Sequence, residues 1–171
     1  MNQKGLIIFQ ERQKFTQKWV RITVLLTASI FWYGFVQQII LQKPYGNHPT
    51  SDFMVILSFV FFGIGLPFLF WKAELITEVY QGGVYFRFVP FHRTFHKIPV
   101  EEIKYFLAKT YSPVKEFGGW GIRRGFKGGR AYNVSGHKGV QLELTNGKKI
   151  LFGSQRPDAF VQAIEKIIAT G

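Results

Sequence analysis

The chain has no cysteine, so it can form no disulfide, no thiolate metal site and no cysteine nucleophile. Acidic residues are scarce: 10 Asp+Glu stand against 22 Lys+Arg, a formal net charge of +12 over 171 residues. Neither a Gly-Lys-Ser/Thr phosphate loop nor a Gly-x-Ser-x-Gly nucleophile elbow occurs. Aromatic residues, by contrast, are plentiful at 18%, with 19 Phe. That excludes intrinsic disorder, which needs low hydrophobicity and few aromatics. A charge this positive would ordinarily point to nucleic acid. Its distribution points elsewhere.

Residues 22–41 read ITVLLTASIFWYGFVQQIIL without a single charge. Twenty residues of helix rise about 30 Å, the thickness of a bilayer's hydrocarbon core. A second uncharged run, 53–71, reads FMVILSFVFFGIGLPFLFW. Residues 42–52 between them are rich in turn formers and predict a short external loop. Two such runs so close together favour a membrane helical hairpin over a buried core helix. The first run is too long for a signal peptide, and no small-residue cleavage pattern follows it. Gly63, Gly65 and Pro67 predict close helix approach and a kink whose freed carbonyl needs another partner. Neither run holds an ionisable group, which weighs against a transporter.

Residues 1–21 form a basic leader with Lys4, Arg12, Lys14, Lys18 and Arg21 against Glu11, and most other basic residues follow Trp71. The positive-inside rule then places both termini in the cytoplasm, with Trp19 and Trp71 as membrane-interface anchors.

Residues 72–171 predict a cytoplasmic β-rich domain. Gly82-Gly83 suits a two-residue hairpin turn, in a register that would set Glu78 opposite Arg87. FHRTFHKI and EEIKYFLAKTY read as further extended segments. Asn146-Gly147 is a strong hairpin signal after the alternating Val140, Leu142 and Leu144. Strict two-residue pairing there would put Ile150 and Phe152 on the polar face, so either a bulge resets the register or that face is covered. The chain closes on an apolar stripe at helical spacing: Ala159, Phe160, Ala163, Ile164, Ile167 and Ile168. Pro157 and Asp158 suit its first turn.

Six or seven strands followed by one helix resemble the pleckstrin-homology (PH) superfold, a curved seven-stranded barrel plugged by a C-terminal helix. GWGIR from Gly119, YNVSG from Tyr132, GVQLEL from Gly139, Asn146-Gly147 and GSQRP from Gly153 look like a family of bacterial membrane proteins with two spans and a PH-like domain. The resemblance implies a membrane α-helical hairpin plus a PH-like barrel of about seven strands capped by a C-terminal helix. It brings no catalytic or ligand residues with it.

The glycine-rich segment 118–139 carries Arg123, Arg124, Lys127, Arg130 and Lys138 among aromatics, Trp120 included. Glycines that expose backbone amides beside cations suit an anionic headgroup or an acidic partner. The bland alternative is a long hairpin with solvated charges. Gly119 to Gly125 has one residue too many for a dinucleotide fingerprint. His92 and His96 have ligand spacing only on a helix, and their segment does not read as one. Glu101 and Glu102, adjacent on a strand, point to opposite faces and cannot pair as acid and base. No catalytic residue, metal site or cofactor is predicted, and membrane anchoring absorbs most of the charge that might have meant nucleic acid. The expectation is a non-catalytic interaction module of a bacterial plasma membrane, acting as an accessory or assembly subunit of another membrane protein or self-associating. The alternative is an anionic-lipid sensor working through 118–139, and an enzyme or transport component is weaker still.

Overall fold

The computed structural model describes residues 6–44, 46, 50–126 and 128–169. It divides into two compact units: a helical one, Phe15–Ala73, and a β-rich one built from Met1–Lys14 and Glu74–Gly171.

The helical unit holds α1 (Lys18–Ile40) and α2 (Asp52–Lys72), both long and apolar enough to cross a membrane. Their apolar side chains lie largely on the surface, Leu25, Leu26, Phe53 and Phe61 among them. The two helices meet through aromatic rings: Phe35 stacks on Phe59 at 4.1 Å and Phe31 on Phe62 at 4.7 Å. Pro67 has no amide hydrogen to give the carbonyl four residues earlier. That carbonyl, of Gly63, accepts instead from Trp32 Nε1 at 3.2 Å. The helix widens to π geometry over Phe59–Gly65, the turns just before the proline.

The β-rich unit begins in the leader. Residues Phe9–Lys14 form β1, a strand that the sequence reading did not assign. It pairs antiparallel with β2 (Glu74–Tyr80), from Phe9 opposite Val79 to Lys14 opposite Glu74. β3 (Gly83–Val89) and β4 (His96–Pro99) complete a four-stranded sheet in the order β1-β2-β3-β4. The second sheet contains β5 (Ile103–Thr110), β6 (Gly121–Arg124), β7 (Arg130–Asn133), β8 (Lys138–Leu144) and β9 (Lys149–Gly153). Between β5 and β6 sits a short helix, α3 (Pro113–Phe117).

The order of the second sheet is β5-β8-β9-β7-β6, with β7 parallel to β9. This corrects the expected closed barrel of about seven strands. The described residues make nine strands in two separate ladders.

Two hairpin registers also differ from expectation. Tyr80 pairs with Gly83, so the loop is Gln81-Gly82 and not Gly82-Gly83. Gly83 belongs in the strand because its backbone, at φ +130°, passes so close to β4 that a Cβ would lie 2.1 Å from the Ile98 carbonyl oxygen. Glu78 consequently sits opposite Tyr85, not Arg87, and accepts from Gln10 Nε2 at 2.8 Å and Tyr80 Oη at 2.9 Å. Arg87 lies over the Phe95 ring instead. At the second hairpin, Glu143 pairs with Lys149 and Leu142 with Ile150, leaving a loop one residue longer than Asn146-Gly147 alone. The extra residue resets the register, so Val140 faces Phe152 and apolar meets apolar.

The C-terminal helix α4 (Pro157–Ala169) buries Phe160, Ala163, Ile164 and Ile167, while Ala159 and Ile168 remain exposed. Phe160 stacks flat on Phe9 of β1 at 5.0 Å and contacts Phe152 of β9. The inward face of β1 is otherwise polar. Glu11 accepts from Ser154 Oγ at 2.6 Å and from the Gln155 amide at 2.7 Å, and Gln13 Nε2 donates to the Gly153 carbonyl at 2.6 Å. The segment ahead of the helical unit is thus fastened to the segment that leads into α4.

Candidate functional site

A cleft of ≈ 800 Å³ opens between β3–β4 of one sheet and β6, β7 and the β8–β9 turn of the other. That volume lies within the range of small-ligand sites. Its floor is apolar and aromatic. Phe86 lies 4.7 Å from Tyr132 and 4.9 Å from Phe152, and Ile98, Leu144 and Ile150 also line it. Lys97, Arg124, Arg130, Lys148, Lys149 and Glu102 complete its lining.

Strand pairing places the two arginines together. Arg124 and Arg130 are register partners across the β6–β7 hairpin, which puts two guanidinium groups on one face. Like charges directly opposite each other destabilise a sheet. Among the described residues neither arginine side chain has an ion-pair or hydrogen-bond partner. The hairpin can lie against β9 because Gly129 lacks a Cβ, which would sit 2.8 Å from the Lys149 carbonyl oxygen. Lys149 contacts Glu143 at 3.5 Å, and Lys97 lies over the Tyr85 ring.

Two histidines complete the wall. His96 is the register partner of Phe86 and stacks on it at 5.4 Å. The His92 ring is 4.3 Å from that of His96 and 5.9 Å from Tyr132. His92 Nδ1 accepts from the Phe88 amide at 3.3 Å, which assigns the proton of the neutral ring to Nε2. Burial, reinforced by the neighbouring His96, holds His92 below the usual histidine range.

The structure therefore divides the basic residues predicted from 118–139. Arg124 and Arg130 line the cleft. Arg123 alternates to the other face of β6 and donates from Nε to the Trp120 carbonyl at 2.9 Å. Trp120 is half-buried and donates from Nε1 to the Gly136 carbonyl at 3.3 Å. Lys138 opens β8 opposite Thr110, away from the cleft lining, and Lys127 lies outside the described residues. Trp19 and Trp71 are both exposed, the latter beneath the Lys72 ammonium at 4.8 Å.

Sequence reasoning missed Lys97, Lys148, Lys149 and the histidines as members of one site. The available signal was period-two alternation, which sets His96 and Ile98 on one face, together with two lysines directly after the Asn-Gly turn. Among the described residues no group of three or more His, Asp or Glu is placed to hold a metal. A smaller groove of ≈ 350 Å³ nearby shares Arg130 and Lys149, but its Lys109 is paired with Glu116 at 3.2 Å.

Fold and site define a class: a β-rich domain with two apolar helices inserted between its first two strands and a basic cleft between its sheets. The chain belongs to DUF6141, a family of unknown function whose profile matches residues 1–170. No curated protein and no solved structure matches it.

Proposed function

We propose that the chain is a membrane-anchored, non-catalytic PH-like interaction module that holds an anionic group in the cleft between its sheets. The pairing of Arg124 with Arg130, beside Lys148 and an aromatic floor, carries this reading. Arg presents a planar fork suited to phosphate or carboxylate, and concavity suits a compact group better than a flat partner surface. Two β-sheets followed by a C-terminal helix support the PH-like part of the reading, although the strand order departs from a simple barrel.

The anchor is a bilayer-spanning hairpin of α1 and α2 in a bacterial plasma membrane, with Trp19 and Trp71 at the interface. Both termini lie in the cytoplasm. The basic residues flanking the hairpin support this, as does the Lys14–Glu74 register pair, which requires the chain to return to the side it left.

The test compares full-length wild type with Arg124→Gln/Arg130→Gln, purified from native membranes in mild detergent, with bound lipids and proteins identified by mass spectrometry. An anionic lipid or acidic protein enriched on the wild type and lost from the double variant is the expected result. Identical recovery on both would overturn the reading.

A second reading makes the partner a membrane protein and the chain its accessory subunit. The observation favouring it is that among the described residues β6 ends its sheet with one edge unpaired, beside exposed Ile122 and Phe126. An added strand could complete that edge.

A further inference from the structure

The two arginines and two histidines of the cleft raise a more specific question than charge alone. Arg124 and Arg130 face each other with no carboxylate between them among the described residues. A singly charged acceptor would answer one guanidinium. A tetrahedral oxyanion with two charges and several acceptor oxygens can bridge both. The apolar floor of Phe86, Tyr132 and Ile150 leaves room for an organic substituent on that group.

The histidines add a second constraint. Their rings are 4.3 Å apart. The other charged or titratable groups of the cleft are Arg124 on β6, Arg130 and Tyr132 on β7, Lys148 at the β8–β9 turn and Glu102, while the Lys97 ammonium lies over the Tyr85 ring and that of Lys149 is paired with Glu143. With the cleft empty, a proton on the pair would join Arg124, Arg130 and Lys148, opposed by Glu102. His92 is further committed to the neutral state, because its Nδ1 already accepts the Phe88 amide. An anion in the cleft reverses the local potential and makes protonation favourable. Thermodynamic linkage then requires the converse: protonation must tighten anion binding.

We infer that the cleft takes up a phosphate-type dianion together with a proton, which the His92–His96 pair receives. This rests on the anion reading above and deepens it. The ligand class is a phosphate monoester, carried either by a lipid headgroup or by a soluble molecule, and the cleft's affinity for its dianion rises as the histidine pair is protonated.

The experiment uses the full-length chain in zwitterionic nanodiscs and isothermal titration with sulfate, whose own charge does not change across the range studied. Affinity should rise about tenfold from about pH 8 to about pH 6, through the histidine range. Proton uptake should appear as a dependence of the binding heat on the buffer's ionisation enthalpy. His92→Gln/His96→Gln should bind sulfate with no pH dependence, and pH dependence kept in that variant would overturn the proton linkage; thermal unfolding checks that it is folded.

Equal wild-type affinity at both pH values would overturn the proton linkage while leaving the anion reading standing. Absence of sulfate binding at either pH, with Arg124→Gln/Arg130→Gln indistinguishable from wild type, would overturn both. Glycerol 3-phosphate added to zwitterionic nanodiscs, compared with phosphatidic acid built into them, assigns the source. Saturable binding of the first supports a soluble ester. Binding of the second alone supports a headgroup, and binding of neither, with sulfate still bound, overturns the monoester class.

Discussion

Replacing Glu11 by alanine tests the closure of the β-rich unit most directly. Glu11 is 7% exposed and accepts two hydrogen bonds, from Ser154 Oγ at 2.6 Å and the Gln155 amide at 2.7 Å. Truncation leaves both donors without this acceptor. Hydrogen bonds to a charged group contribute about 1.5–3 kcal/mol each. Gln155 is exposed and water can replace its partner, so the lower half of the summed range applies, about 3 kcal/mol.

Glu11→Gln should cost about half as much. Its amide oxygen can still accept the Gln155 amide, but its nitrogen must then meet Ser154 Oγ, which already accepts from the Arg156 amide at 3.0 Å. For a unit of this size, about 3 kcal/mol lowers the melting temperature by about 10 °C. Thermal unfolding of the full-length variants reads the loss, and hydrogen exchange at the amides of 155–160 locates it. A Glu11→Ala melting temperature within about 1 °C of wild type would refute the reasoning.

Other consequences are equally checkable. Gly83→Ala should cost about 3 kcal/mol or more, since its Cβ meets backbone, whereas Gly147→Ala, at φ +77° with open space around it, should cost about 1 kcal/mol; equal denaturant midpoints would contradict this. Burial holds the hydroxyls of Tyr80 and Tyr111 up to about 12, with a hydrogen bond to Glu78 adding to the effect at Tyr80. The folded state therefore keeps protons that the unfolded chain releases, and stability should fall as pH rises from about 10 to about 12, by about 2–3 kcal/mol per tyrosine. Urea midpoints across that window measure it, and a flat profile would contradict the linkage. Residues 72–171 expressed alone lack β1 and leave one face of Phe160 bare. They should unfold at lower temperature than the same fragment supplied with a peptide of residues 1–14, and no response to the peptide would count against β1 as an integral strand.

Much of this architecture is legible in the residues. Two uncharged runs of about twenty residues declare helices long enough to cross a bilayer. The stripe from Phe160 to Ile167 declares a helix that buries one face. β1 was not legible, because its inward residues after Phe9 are Glu11 and Gln13. Their burial depends on partners in residues 153–155, beyond the reach of any local pattern. The parallel pairing of β7 with β9 is hidden for a related reason: a ladder between strands distant in sequence leaves no periodicity of its own. Site residues followed the same divide. Arg124 and Arg130 were conspicuous within a basic, glycine-rich run, but their companions come from β4 and the β8–β9 turn and join them only through sheet pairing.

The order in which the chain is made gives the polarity of β1 a meaning. Synthesis at about 5–20 residues per second puts about 3–12 seconds between completion of β1 and arrival of β2, since residues 15–73 must be made first. Ser154 and Gln155, the last partners of Glu11, arrive about 7–28 seconds after β1. Until β2 arrives β1 is a strand without a sheet. An ordinary alternating apolar strand would be an adhesive edge for as long as it stayed unpaired. FQERQK, with one apolar residue in six, can remain in water until the rest of the fold is ready to receive it.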